Sequence, residues 1–233
     1  MRPYYEDKRV TIYHGDCREV LPQLDVRADL VVADPPYNLG KRYGSKTNDA
    51  RDLEVYWCWF GDIFKAVFEQ MVEGYLYVSH SDKGIYHAKP VLEEIGLEYI
   101  QTLIWWGRNG YSMQLHRKSW SYRHEPILFM QKGDPPTLEA GNKGMWYTSV
   151  IEAPRPQSNF REGRYHPTQK PVKLYKILIA RTPGQLLLDP FMGVGTSLIA
   201  SKELNRHCIG IEIEEKYCEI AARRCSQEVM ELV

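Results

Sequence analysis

Seven short apolar runs separated by helix-length segments predict an α/β protein built on a mainly parallel sheet. Three observations carry that prediction. The apolar runs lie at 10–14, 30–33, 75–79, 99–106, 126–131, 186–188 and 208–211, each of ordinary strand length. Helical patterns fall between them at 18–23, 53–71, 83–95, 171–181, 196–203 and 215–230. Two of the runs end in an acid and a turn, the form expected where a site sits at the carboxyl ends of parallel strands.

The elements follow in order. The first strand runs into Gly15-Asp16, the second into Asp34-Pro35-Pro36-Tyr37. Trp57, Trp59, Phe60, Phe64 and Phe68 form the buried side of the helix at 53–71. The stretch 133–167 is rich in Gly, Pro, Asn and Ser and too long for an ordinary connection, so it reads as a functional insertion or a mobile loop. Pro171 starts the next helix. The strand at 186–188 passes through a glycine turn into the helix at 196–203, and the last strand ends in Glu212.

Composition narrows the function classes. With 233 residues, 43% apolar and 26% charged, the chain fits one globular domain and excludes a disordered or fibrous protein. No apolar run approaches the roughly 20 residues of a membrane span and the N-terminus lacks a signal-peptide core, so a cytoplasmic protein is expected. Five cysteines without a C-x-x-C pair suggest reduced, mostly buried thiols, and no histidine spacing suggests a metal site. The formal charge is zero, yet 101–132 and 154–176 are strongly basic and carry interleaved aromatics, a pattern shared by solvated faces and polyanion surfaces.

The sharpest feature is Asp34-Pro35-Pro36-Tyr37 after the strand Leu30-Val31-Val32-Ala33. Two prolines stiffen the turn, so a carboxylate, a carbonyl and a ring are held in fixed geometry above the sheet. An aryl amine is a poor nucleophile because its lone pair is delocalised. Asp34 and the Pro35 carbonyl can accept its two N–H groups and draw nitrogen toward sp³, while Tyr37 stacks on the base. The second Asp-Pro-Pro, at 134–136, lies in a loop without the aromatic and reads as structural.

The second feature is Asp189-Pro190-Phe191-Met192-Gly193-Val194-Gly195-Thr196-Ser197. Gly193 and Gly195 let a ligand approach the backbone, and Thr196 or Ser197 is expected to cap the helix. Leu198 stands where a dinucleotide fingerprint needs its third glycine, and the P-loop pattern is absent. Glu212, 23 residues beyond Asp189, is placed to hold ribose hydroxyls. The third feature, His166-Pro167-Thr168-Gln169-Lys170-Pro171, is by itself only a helix entry.

Together these segments resemble the amino-group DNA methyltransferases that use S-adenosylmethionine, specifically the beta class, in which D-P-P-Y precedes F-x-G-x-G. The resemblance covers nearly the whole chain. It implies a Rossmann-like methyltransferase fold: seven strands with one antiparallel, in a circularly permuted motif order. The implied spatial order is of strands beginning near residues 10, 208, 186, 30, 75, 126 and 99, with the 126 strand antiparallel. It implies Asp34, Pro35, Pro36 and Tyr37 as catalytic. Around S-adenosylmethionine it places Asp189, Phe191, Gly193, Gly195, Thr196 and Glu212, with Thr168 and Lys170 near the methionine end, Asp16 and Cys17 near the adenine, and Asp34 at the border with the target.

The implied reaction is direct displacement on a base swung out of double-stranded DNA, with no metal. Asp before P-P-Y favours adenine N6 over cytosine N4, because cytosine enzymes of this motif order more often carry serine. A non-catalytic subunit would be expected to lose Asp34, Tyr37 or the glycines, glutamine methyltransferases carry N-P-P-Y after the glycine motif, and an NAD-binding domain lacks support in the glycine pattern. The loop 38–51, with Lys41 and Arg42, is polar and basic and reads either as a segment that closes over the base or as a merely flexible loop. A small target-recognition insertion at 108–165, with Arg108, Arg117, Lys118 and Arg123, is expected to meet DNA inside a single catalytic domain of residues 1–233. A homodimer and a cognate restriction endonuclease are expected partners.

Overall fold

A computed structural model describes residues 1–41, 44, 46–47, 49–109, 120–141, 147–160 and 162–226. Its elements are β1 (Tyr5–Glu6), β2 (Val10–His14), α1 (Cys17–Val20), β3 (Ala28–Ala33), α2 (Leu53–Glu69), β4 (Met71–Ser79), α3 (Ile85–Glu94), β5 (Glu98–Trp106), β6 (His124–Lys132), β7 (Val150–Glu152), α4 (Val172–Arg181), β8 (Leu186–Asp189), α5 (Thr196–Glu203), β9 (His207–Glu212) and α6 (Glu215–Ser226). Pro22 turns the end of the first helical segment into a 3-10 turn, Leu21–Gln23. No helix among the described residues is long and apolar enough to cross a membrane.

The strands form one mixed sheet in the order β1-β2-β9-β8-β3-β4-β6-β5-β7. Among the described residues nine strands therefore replace the seven expected. The two additions, β1 and β7, are edge strands of two and three residues, too short to show an apolar run. Two strands run against the rest rather than one: β6 between β4 and β5, and β1 on β2.

The apolar strands are continuous runs because both sheet faces are covered. Alternate residues point to opposite sides: Leu30 and Val32 pack with α4, α5 and α6, whereas Val31 and Ala33 pack with α1, α2 and α3. On the first side Leu174, Leu178, Leu198 and Ala221 close the layer, and on the second Phe60, Phe64, Val67 and Leu92 do so.

From β3 the chain crosses through α2 to β4, and from the adjacent β8 it crosses through α5 to β9 on the other side. The connections thus diverge between β3 and β8 and leave a crevice at their carboxyl ends. Because β6 is antiparallel, it begins at this same edge, so His124 and Glu125 arrive where Asp34 and Asp189 leave.

The β3–β4 register shifts between Ala28 and Leu30. Asp29 at the shift accepts the backbone N–H groups of Gln185 (2.8 Å) and Leu186 (3.2 Å), and so fixes the start of β8. A Cβ on Gly74 would collide with the Asp29 backbone carbonyl, which has no flexible end to move. Gly74→Ala is therefore expected to destabilise the protein by about 1–3 kcal/mol. Urea unfolding should show a lower midpoint with an unchanged slope.

Candidate active site

The turn after β3 is held from three directions. Lys170, only 4% exposed at its side chain, donates to Asp34 Oδ1 and Oδ2 (2.8 Å each), to Glu125 Oε2 (3.0 Å) and to Tyr37 Oη (3.0 Å). The Tyr37 hydroxyl donates to Asp34 Oδ1 at 2.6 Å. Arg155 Nη1 takes the other Glu125 oxygen at 2.8 Å while its guanidinium lies over the Trp105 ring. Burial raises the Glu125 carboxyl, but the Lys170 and Arg155 charges overcome it and bring it down to about 2. The same acids keep Lys170 protonated, above its ordinary value despite desolvation.

A second chain of bonds reaches the prolines. The Ser81 backbone N–H donates to His80 Nδ1 (2.8 Å), so that nitrogen carries no proton and Nε2 carries one. His80 Nε2–H donates to the Tyr56 oxygen (2.7 Å), and the Tyr56 hydroxyl donates to the Pro36 carbonyl (2.7 Å). Burial, with His87 and Lys170 nearby, lowers His80 to about 3, so it stays neutral. The His80 ring stacks on Tyr37 at 5.0 Å on one side and on Trp57 at 5.4 Å on the other. His80 is buried, as a core histidine is expected to be, and from the core it braces the turn through Tyr56 and Tyr37.

The glycine turn lies across the crevice. Gly193 (φ +52°) and Gly195 (φ +76°) adopt left-handed backbone. A Cβ on Gly193 would meet nothing within 4 Å, whereas one on Gly195 would come 2.9 Å from the Ala221 Cβ. Gly195 itself occupies the N-cap of α5, so the expected Thr196 or Ser197 cap does not form. Instead the Ser197 hydroxyl donates to Asp189 Oδ2, and Arg224 donates to the Val194 carbonyl at 2.5 Å. Asp189 Oδ1 accepts the Phe191 N–H at 2.9 Å, and Glu212 accepts those of Gly193 (3.1 Å) and Glu214 (2.8 Å). Burial outweighs these bonds and pushes both acids up, each to about 7.

Both turns line one cavity of about 1080 Å³. That exceeds the usual range for a single small-molecule site and leaves room for a nucleoside-sized ligand beside a second group. Asp16, Cys17, Asp34, Thr168, Lys170, Phe191, Gly193, Thr196 and Glu212 all line it, and Asp189 is buried beneath. Burial pushes the Cys17 thiol up, as a packed thiol. Asp16 caps α1 and is paired with Arg18 at 2.7 Å; burial raises its carboxyl, but the Arg18 bonds bring it below its ordinary value. Thr168 donates to His166 Nδ1, and burial lowers His166 to about 4. Lys170 lines the cavity with its ammonium bound to two acids, Asp34 in the turn after β3 and Glu125 at the start of β6.

The loop after Tyr37 is tied at its neck and its far side. Asp49 accepts the N–H groups of Asn38 (2.7 Å), Leu39 (3.1 Å) and Lys41 (2.8 Å), and Glu214 accepts those of Lys46 (2.6 Å) and Thr47 (3.2 Å). Lys41 lines the cavity. Arg108 lies outside it, paired with Glu152 at 3.5 Å, and Arg123 donates to the Arg108 carbonyl at 3.2 Å. Arg42, Arg117 and Lys118 lie outside the described residues.

Sequence reasoning missed Glu125, Arg155, Tyr56, His80 and Trp59. Trp59 is not wholly core: its half-buried ring lines the cavity, with Phe191 at 6.1 Å and Arg51 above it. For Glu125 a signal existed, since the first residues of an antiparallel strand must land at the edge where parallel strands end. Nothing in the spacing pointed to Tyr56 or His80.

A family model described as "DNA methylase" matches residues 28–223. The Type II methyltransferase M.HpaI of Haemophilus parainfluenzae is 31% identical over 223 residues, spanning 86% of this chain and 68% of that protein. The DNA adenine methyltransferase YhdJ of Escherichia coli K12 is 30% identical over 248 residues, spanning 92% and 82%. Among solved structures, the M1.HpyAVI–SAM complex superposes with a TM-score of 0.70 at 21% identity, covering 94% of this chain and 100% of that one. The PvuII DNA methyltransferase, cytosine-N4-specific, gives 0.79 at 19%, covering 99% and 91%. These two share the α/β fold.

The raised Glu212 gives a signed pH effect. Its folded value of about 7 lies above the ordinary 4.5, so its contribution is complete below 4.5 and is lost as pH rises through 7. Glu212→Gln, which stays neutral, should therefore gain stability relative to wild type between those values, by on the order of 2 kcal/mol, and level off above. Urea unfolding of both proteins across that range measures the difference and cancels the histidines, which act in the opposite direction.

Proposed function

The chain belongs to the DNA methylase family, and from that premise we propose that it transfers a methyl group from S-adenosylmethionine to N6 of adenine in double-stranded DNA. The observation that carries this reading is the meeting of the Asp34–Tyr37 turn and the Gly193–Gly195 turn in one cavity, on adjacent strands β3 and β8.

The residues fit the donor. Gly193 opens the backbone to the cavity, and Glu212 on its wall offers a carboxyl that suits hydroxyl groups, while Asp189, buried beneath, fixes the turn through Phe191 and Ser197. Phe191 and Trp59 give the same region an aromatic wall. When bound, S-adenosylmethionine supplies an electrophilic methyl on a sulfonium sulfur. Asp34 and the Pro35 carbonyl accept hydrogen bonds from the target amine's two N–H groups and localise its lone pair for attack. Nitrogen forms the new bond as the methyl–sulfur bond breaks onto sulfur, leaving S-adenosylhomocysteine, and one proton leaves nitrogen past Asp34 to water.

In a duplex the amine is paired, so the base must swing out at a cost of a few kcal/mol. Tyr37, fixed on His80, is the proposed platform for it, and Lys41, Arg108 and Arg123 are the proposed phosphate contacts. Asp34 and the similarity to a protein named as a DNA adenine methyltransferase support adenine as the target. The catalytic turn preceding the glycine turn supports the beta-class, permuted arrangement. The relatives named Type II methyltransferases support a role beside a restriction endonuclease.

Methyl transfer from labelled S-adenosylmethionine to unmethylated DNA, with nucleoside analysis, tests the proposal. N6-methyladenine is expected, and Asp34→Ala should lower its formation by about 10²-fold or more while cofactor binding persists. N4-methylcytosine would overturn the base assignment, and no methylated DNA from a cofactor-binding protein would overturn the function.

A further inference from the structure

Asp34 sits in a set of four charged groups: two carboxylates, Asp34 and Glu125, and two cations, Lys170 and Arg155. Their formal sum is zero. Lys170 bridges the carboxylates, and Arg155 holds the outer oxygen of Glu125 at 2.8 Å. We propose that Glu125 is a positioning and charge-balancing residue for methyl transfer, acting through Lys170 on Asp34; the inference rests on the methyltransferase reading above.

The argument has two parts. First, the Lys170 ammonium grips both Asp34 oxygens and so fixes the carboxylate that must face the target amine, and Glu125 fixes the ammonium from behind. Second, the reaction moves positive charge onto nitrogen as the N–C bond forms and the methyl–sulfur bond breaks. A net cation beside that nitrogen would oppose the transition state more than the ground state, and the effect is strong in a site shielded from water. Without Glu125 the remaining three groups would sum to +1. With it, Lys170 can orient Asp34 while adding no net positive field.

Glu125 also stands where this role requires. It is the second residue of the antiparallel strand β6, and its cation partners come from the segment before α4 and from the residues following β7. The Tyr37 hydroxyl lies 3.3 Å from Glu125 Oε2, so the acid touches the proposed base platform as well.

The test compares single-turnover methyl transfer to saturating DNA by wild type, Glu125→Gln, Glu125→Asp and the double variant Glu125→Gln/Arg155→Gln, with S-adenosylmethionine affinity measured for each by calorimetry. Glu125→Gln should be at least tenfold slower with cofactor affinity within threefold of wild type. Glu125→Asp, which keeps the charge, should lose less. The double variant, whose formal sum returns to zero, should be at least threefold faster than Glu125→Gln; a purely structural role would make it slower still.

A Glu125→Gln rate within twofold of wild type, a double variant no faster than the single one, or a Glu125→Gln protein that no longer binds cofactor would each overturn the inference while leaving the function intact. A wild-type protein that binds cofactor and methylates no DNA would instead overturn the function, and this inference with it.

Discussion

The buried ammonium of Lys170 is the constraint around which the site is assembled. Burying such a charge costs several kcal/mol unless every donor is satisfied, and removing one partner leaves that cost uncompensated. Lys170 meets the requirement with partners drawn from residues 34, 37 and 125, which are remote from it in sequence. The turn after β3, the start of β6 and the segment before α4 therefore cannot shift independently. The geometry of the Asp34 carboxylate is thus a property of the whole sheet edge rather than of the four-residue turn that carries it.

Topology makes that assembly possible. Parallel strands alone would bring only their carboxyl ends to the crevice, each followed by a loop. The reversal of β6 brings a strand start to the same edge, and with it an acid on rigid backbone. The parallel pairing of β7 with β5 then delivers Arg155 a few residues past its end. On the opposite sheet face α2 supplies Tyr56, whose hydroxyl reaches the Pro36 carbonyl through the packing of Phe60 and Phe64 below it. Asp34 and the Pro36 carbonyl are thus held by different layers of the fold.

Much of this was legible in the sequence wherever the information is local. Apolar runs gave the seven long strands, and Asp34–Tyr37 and Gly193–Gly195 announced themselves because prolines and glycines restrict or free the backbone at the residue itself. The edge strands β1 and β7 were not legible, since two or three residues carry no periodicity. Glu125, Arg155 and Tyr56 were missed for another reason: their roles depend on contacts with residues 30 or more positions away, or on a carbonyl 20 positions away, and no spacing records those. Ser197 shows the converse, a helix-start residue whose local preference to cap lost to the buried carboxylate of Asp189.

The two halves of the cavity solve electrostatics in opposite ways. On the side of the turn after β3 the acids are paired with fixed cations, so little reorganisation is needed when a ligand arrives. On the glycine-turn side Asp189 and Glu212 meet backbone N–H groups and a hydroxyl, and both carboxyls are pushed up to about 7. Of the two, Glu212 lines the cavity and is held by dipoles alone, so a cation bound beside it would lower its value and be drawn in by the same interaction. A fixed, neutral set on one side and a responsive acid on the other would suit the proposed reaction, which carries positive charge from donor to nucleophile. The first must not oppose the charge that arrives, and the second must hold the charge that is there at the start.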